Sequence, residues 1–221
     1  MSSRRILGLR KKQRRKEKRQ KNILLTEDER RRLVESKENQ RTNSDYLSVR
    51  GLGRINREHK KNFVEIVLDL AKKFPNQQIQ VLDEGAGRSQ FHKGLVQEAR
   101  LGERLKVVRT DIDKKLCEAN GLVHASPEEL VSKFGRNRFH LIVSSFSGVT
   151  FTKVNQANAI ANIIESLKPG GIASIETGFS TSGGGKITVA RIKKILKNYP
   201  NAFVTENQLS KNSTMLTIRK T

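Results

Sequence analysis

The chain is 221 residues long, with 44 Lys and Arg against 22 Asp and Glu, a formal net charge of +22, and a single cysteine, Cys117. The length fits one α/β domain with a sizeable core plus an appendage too small to be a second large domain, and one cysteine excludes an internal disulfide framework and a cysteine-based zinc cluster. So basic a balance lies outside the ordinary range of a metabolic enzyme and points to a polyanionic partner, RNA first, because each phosphate neutralised by Lys or Arg releases condensed counterions.

No apolar run approaches the roughly 18 residues of a membrane span, and the start lacks the apolar core of a secretory signal. The expectation is a soluble, intracellular, cytoplasmic protein with no membrane partner. The histidines His59, His92, His124 and His140 show no metal spacing, so no metal is expected and they read as structural. His140 in particular falls inside a predicted buried strand, where neighbouring carboxylate or backbone partners would satisfy it.

Charge is concentrated at the start, where Met1 to Asn62 holds 21 basic and 8 acidic residues. In GLRKKQRRKEKRQK, Gly8 to Lys21, the residues Arg10, Lys11, Lys12, Arg14, Arg15, Lys16, Lys18 and Arg19 charge every face of any helix and leave no apolar stripe. Residues 1–25 therefore read as a basic arm without stable structure until a partner arrives, and these eight are the candidate nucleic-acid contacts. The same composition also suits a nuclear import signal in a eukaryote, or a solvated charged helix. Thr26, followed by Glu27, Asp28 and Glu29, predicts a helix start running to about Glu38. Arg41 to Asn56 then reads as a loop with two glycines, so residues 26–56 form a helical and loop extension and residues 57–221 the main domain.

From there Phe63, Val67, Leu70 and Phe74 paint one face of a helix that Pro75 ends. Strands are predicted at IQVLDE, LKVVRTD, LVHA, FHLIVSS (Phe139 to Ser145) and IASIET. Helices are predicted at Gln90 to Leu101, LCEAN, PEELVSKF, Asn155 to Leu167 and Val189 to Tyr199, with KPGG breaking the fourth of these. AFVTEN and STMLTIRK close the chain as an antiparallel hairpin. Alternating strand and helix means a doubly wound, mostly parallel seven-stranded α/β sheet with helices on both faces.

In such a sheet ligands sit beyond the carboxyl ends of the strands. VLDEGAGRSQF, Val81 to Phe91, places Gly85 and Gly87 at the first strand's exit, and Asp111 ends the second strand at the distance suited to a carboxylate that holds ribose hydroxyls. A dinucleotide turn needs Gly or Ala where Gln90 stands, which argues against NAD. SGGGKIT, Ser182 to Thr188, fails as a phosphate loop because Ile187 occupies the magnesium-coordinating Ser or Thr position.

VLDEGAG, TDID, FHLIVSS and LKPGGIASIE together resemble the Rossmann-like class I S-adenosylmethionine-dependent methyltransferases over about Asn62 to Lys220. The resemblance implies S-adenosylmethionine as cofactor. It places Gly85, Ala86 and Gly87 around the methionine moiety and sugar, Asp83 or Glu84 near the ammonium, Asp111 on the ribose and Ile112 on the adenine. Ala125 or Ser126 would approach the adenine edge, where many members carry an acid. Ser144 and Phe146 would line the pocket after the fourth strand.

That exit, Ser144-Ser145-Phe146-Ser147-Gly148, lacks the Asn or Asp followed by Pro-Pro and an aromatic of amino-methylating members. It also lacks the carboxylate of a ribose 2′-O-methylating set, so no catalytic residue is assigned. The readings are an RNA methyltransferase acting on ribosomal or transfer RNA, a catalytically silent RNA-binding or ribosome-assembly relative, and a methyltransferase of proteins or small molecules.

Overall fold

As a computed structural model, the structure describes residues 50–145, 156–178, 189–209 and 213–221. The basic arm, the helix expected from Thr26, Phe146 and the Ser182 to Thr188 loop lie outside the described residues. No described helix is long and apolar enough to cross a membrane.

In chain order the elements are α1 (Leu52–His59), α2 (Phe63–Lys73), β1 (Ile79–Glu84), α3 (Phe91–Ala99), β2 (Leu105–Asp111), α4 (Lys114–Asn120) and β3 (Val123–His124). They continue with a 3-10 turn (Pro127–Glu129), α5 (Leu130–Phe134), β4 (Phe139–Ser145), α6 (Gln156–Ser166), β5 (Leu167–Gly178), α7 (Val189–Leu196), β6 (Ala202–Gln208) and β7 (Ser213–Lys220). The described strands form one seven-stranded sheet in the order β3-β2-β1-β4-β5-β7-β6. β3, β2, β1, β4 and β5 pair in parallel, and β7 runs antiparallel to both β5 and β6. The doubly wound sheet and the closing hairpin expected from the sequence are both present.

Every residue of β1 and β4 is buried, because a parallel strand covered on both faces needs apolar side chains at odd and even positions alike. One face packs Val81, Leu141 and Val143 against Leu52, Ile55, Phe63, Val67, Phe91 and Leu95 of α1, α2 and α3. The other packs Leu82, Ile142, Ala173 and Ile175 against Leu130 of α5, Ile160, Ile163 and Ile164 of α6, and Ile192 of α7. At about 25 cal/mol per Å² of apolar surface removed from water, these two layers supply the main stabilisation.

Two local differences from the sequence reading have clear causes. Helix α1 occupies the end of the segment read as loop and runs across the boundary drawn at Asn56/Arg57. Gly51 caps it without a side-chain bond, and only Leu52, Ile55 and His59 turn inward. KPGG ends α6, as expected, but is absorbed into the start of β5 as an irregularity. Phe139 pairs with Leu167 and Leu141 with Ile172, so Lys168 to Gly171 bulge out between two fixed partners.

Helix α2 follows its expected pattern. The Asn62 side chain accepts from Val64 N and Glu65 N, Lys72 and Lys73 sit at the negative end of the helix, and Pro75 follows the cap residue Phe74.

Candidate functional site

Strand order reverses between β1 and β4, so the crevice for a ligand lies beyond their carboxyl ends. β1 exits there into Gly85 (φ 66°) and Gly87 (φ 56°), backbone angles that a side chain disfavours. Two bonds tie this turn to β2. Ala86 N donates to Thr110 O at 2.8 Å, and Gly87 N donates to the Asp111 Oδ2 at 3.1 Å. Asp111 Oδ1 also accepts from Asp113 N at 3.0 Å. Its carboxylate is thus fixed at the β2 exit, beside the half-buried Ile112.

Asp83 and Glu84 point to opposite faces of β1, as neighbours in a strand must. Glu84 Oε2 accepts from Ser144 Oγ at 2.8 Å, joining the exits of β1 and β4. Asp83 is buried, and its Oδ2 has no hydrogen-bond partner. Burial pushes its pKa up to about 7, against the opposing pull of Arg50 and Arg109.

The structure therefore brings Asp83, Glu84, Gly85, Ala86, Gly87, Asp111, Ile112 and Ser144 to one end of the sheet. Ser126 follows β3 beside them, because Ala125 N donates to Asp111 O at 3.0 Å. Its hydroxyl, however, has a local task. Ser126 N and Oγ both donate to Glu129 Oε2 at 2.9 Å, in a capping box over the 3-10 turn. The pattern Ser-x-x-Glu carried that signal in the sequence.

A buried polar chain at the β4 exit was not foreseen. His59 of α1 meets Ser145 Oγ through Nε2 at 2.6 Å and Ser174 Oγ through Nδ1 at 2.9 Å. Ser174 in turn donates to Met215 Sδ at 3.3 Å. A neutral imidazole carries one ring proton, so one of these two serines donates to the ring and the other accepts from it. Burial lowers the His59 pKa to about 3, aided by the charges of Arg50 and Lys61, so the ring is neutral. Ser145 also stands opposite Glu176, a second buried acid.

No sequence signal marks this chain, since His59 lies 86 residues from Ser145 and 115 from Ser174. His140 behaves as expected of a structural histidine. Its Nδ1 accepts from Gln80 N at 3.0 Å and its Nε2 lies 3.3 Å from Gln77 Oε1.

The chain enters the described structure at this same end. Arg50 O accepts from Gln90 N at 2.9 Å and from Ser89 Oγ at 3.2 Å, just past the glycine turn. Among the described residues no group of three or more His, Cys, Asp or Glu is placed to hold a metal ion.

No protein-family model matches the sequence, and no curated protein matches it either. Solved structures do resemble it. A TehB-like S-adenosylmethionine-dependent methyltransferase from Corynebacterium glutamicum aligns with a TM-score of 0.50 at 15% identity, over 89% of this chain and 100% of that one. A methyltransferase with the same dependence from Archaeoglobus fulgidus gives 0.47 at 11%, over 75% and 97%. The Burkholderia thailandensis 1,6-didemethyltoxoflavin-N1-methyltransferase, solved with S-adenosylhomocysteine, gives 0.45 at 18%, over 71% and 77%. At these identities the likeness is one of fold.

Proposed function

From the premise that the chain has the fold of the class I S-adenosylmethionine-dependent methyltransferases, we propose that it binds S-adenosylmethionine at the β1–β4 crevice and transfers a methyl group to RNA. The observation that carries this reading is the bond from Gly87 N to Asp111 Oδ2, which locks the glycine turn of β1 to the acid of β2. Asp111 accepts Gly87 N on Oδ2 and Asp113 N on Oδ1, which fixes its carboxylate at the β2 exit, where the ribose hydroxyls of the cofactor would lie. The unpartnered Oδ2 of Asp83 fits a ligand that brings a cation, since an ammonium nearby would offset the cost of its burial. Ala86, packed with Cys117 and Leu122, closes the floor below the turn.

The cofactor would supply a sulfonium methyl open to one-step displacement, so holding the acceptor in line can provide much of the acceleration. At the β4 exit Ser144 is held by Glu84 and Ser145 by His59. With the ring proton on Nδ1, Ser145 donates to Nε2 and presents its oxygen as an acceptor for an N–H or O–H group of the molecule to be methylated. RNA as that molecule is supported by the formal charge of +22.

Calorimetric titration with S-adenosylmethionine tests the first half of the proposal. The parent chain should give a binding heat that Gly87→Asp and Asp111→Ala abolish, and a silent parent would sink it. Transfer of labelled methyl to purified ribosomal or transfer RNA tests the second half. A specific observation favours a catalytically silent RNA-binding reading: both β4-exit hydroxyls already have partners inside the protein. Methyl incorporation into RNA would exclude it, and incorporation into protein or small molecules alone would redirect the substrate.

A further inference from the structure

At the opposite end of the sheet from the glycine turn lies an open cavity of about 400 Å³, lined by Lys73, Gly170, Ile172, Phe203, Arg219 and Lys220 among others. Its composition follows from the strand ladders. Arg219 on β7 stands opposite Ile172 on β5 and opposite Phe203 on β6, so these three side chains lie abreast on one face. Among the described strands β6 lies at one edge of the sheet, and Phe203, Thr205 and Asn207, its residues on that face, are all exposed. Phe203 is 46% exposed, unusual for a phenyl ring in a domain whose other described phenylalanines are buried or half-buried.

The cations here lack acids. Lys73 and Arg219 are exposed, and among the described residues neither pairs with a carboxylate. Burial lowers the pKa of Lys61, between α1 and α2, and the Arg219 guanidinium lowers it further. Lys220 adds only its stem, because its Nζ donates to Asn137 Oδ1, Ile164 O and Leu167 O. Lys73 donates a long bond of 3.4 Å to Gly170 O and keeps capacity for another acceptor. Like charges held together without a counter-charge favour an anion.

A flat apolar ring beside unpaired cations matches a polymer that carries a base and a phosphate in each repeat. A lipid surface would call for several exposed apolar side chains here, and an acidic peptide has no use for the ring. We propose that Phe203, Arg219 and Lys73 form a track for single-stranded RNA, with a base stacked on Phe203 and phosphates on the two cations. This inference rests on RNA being the substrate, and it adds where the strand lies.

Fluorescence anisotropy of the full chain with a labelled oligouridylate of roughly 12 nucleotides tests it. Phe203→Ala should weaken binding by about tenfold while Phe203→Tyr binds like the parent. Arg219→Ala and Lys73→Ala should each lower the slope of log affinity against log salt by about 0.7. Tight binding by the parent that none of these variants alters would overturn the track and leave the RNA reading standing on the basic arm. No binding by the parent would overturn both. Binding to phosphatidylserine vesicles that depends on Phe203, with RNA binding unaffected, would also overturn the track by assigning the surface to a lipid headgroup.

Discussion

Asp83 and His59 are buried within the same end of the molecule and pull the pH dependence of stability in opposite directions. Burial pushes Asp83 from the ordinary 3.8 up to about 7 in the folded chain, so the folded state retains a proton that the unfolded chain loses from about pH 4 upward. Its contribution to stability therefore falls as pH rises from about 4 to about 7. Asp83→Asn removes that fall, and its denaturant midpoint should gain on the parent's between pH 5 and pH 8. His59 has the reverse sign. Its pKa drops from 6.5 to about 3, so stability is lost as pH falls through that window, and His59→Gln should flatten the acid limb. His59→Ala would leave the Ser145 and Ser174 hydroxyls without their partner and open a cavity, at a cost of about 2–4 kcal/mol in chemical denaturation. Nitrogen NMR of the imidazole should find the proton on Nδ1 at neutral pH. A proton on Nε2 would overturn the role of Ser145 as the donor to the ring. None of this could be read from His59 in the sequence, where a histidine in a polar segment carries no sign of partners 86 and 115 residues away.

Among the elements, those whose apolar residues repeat over a long enough run announce themselves. FHLIVSS and IQVLDE became β4 and β1, and the repeat of Phe63, Val67 and Leu70 became the buried face of α2. Helix α1 did not announce itself. It has 8 residues, its interior contains Gly53, and its inward positions are Leu52, Ile55 and a histidine. What fixes it is tertiary contact, chiefly with α3, and one close approach records that contact. A Cβ added to Gly94 of α3 would fall 2.8 Å from Leu52 Cβ. Gly94→Ala should therefore push α1 off α3 and cost about 1–3 kcal/mol, measured by urea unfolding. Because α1 carries His59 to Ser145, the same substitution should disturb the β4 exit while leaving the β1–β2 lock of Gly87 and Asp111 in place. The glycine turn itself was legible, since Gly85 and Gly87 follow an acid at the end of an apolar run. Its tie to Asp111 depended on parallel pairing of β1 with β2, which the strand-helix-strand pattern implied.

For the whole molecule, charge and topology act on different properties. The net charge of +22 governs association and says nothing of fold. Deleting Met1 to Lys21 should weaken RNA binding and flatten its salt dependence, while thermal unfolding of the remaining domain stays as in the parent. An unchanged salt slope would remove the arm from the interface. The order β5-β7-β6 bears on how the chain reaches its native state as it leaves the ribosome. β1 to β5 can pair as they emerge, but β6 must wait, because β7, its one neighbour among the described strands, is made later. The sheet thus closes by insertion of Ser213–Lys220 between two strands already synthesised, and Lys220 then latches onto the carbonyls of Ile164 and Leu167. Until that step, β5 and β6 each present an unpaired edge, and this is the interval in which a nascent chain most needs protection from aggregation.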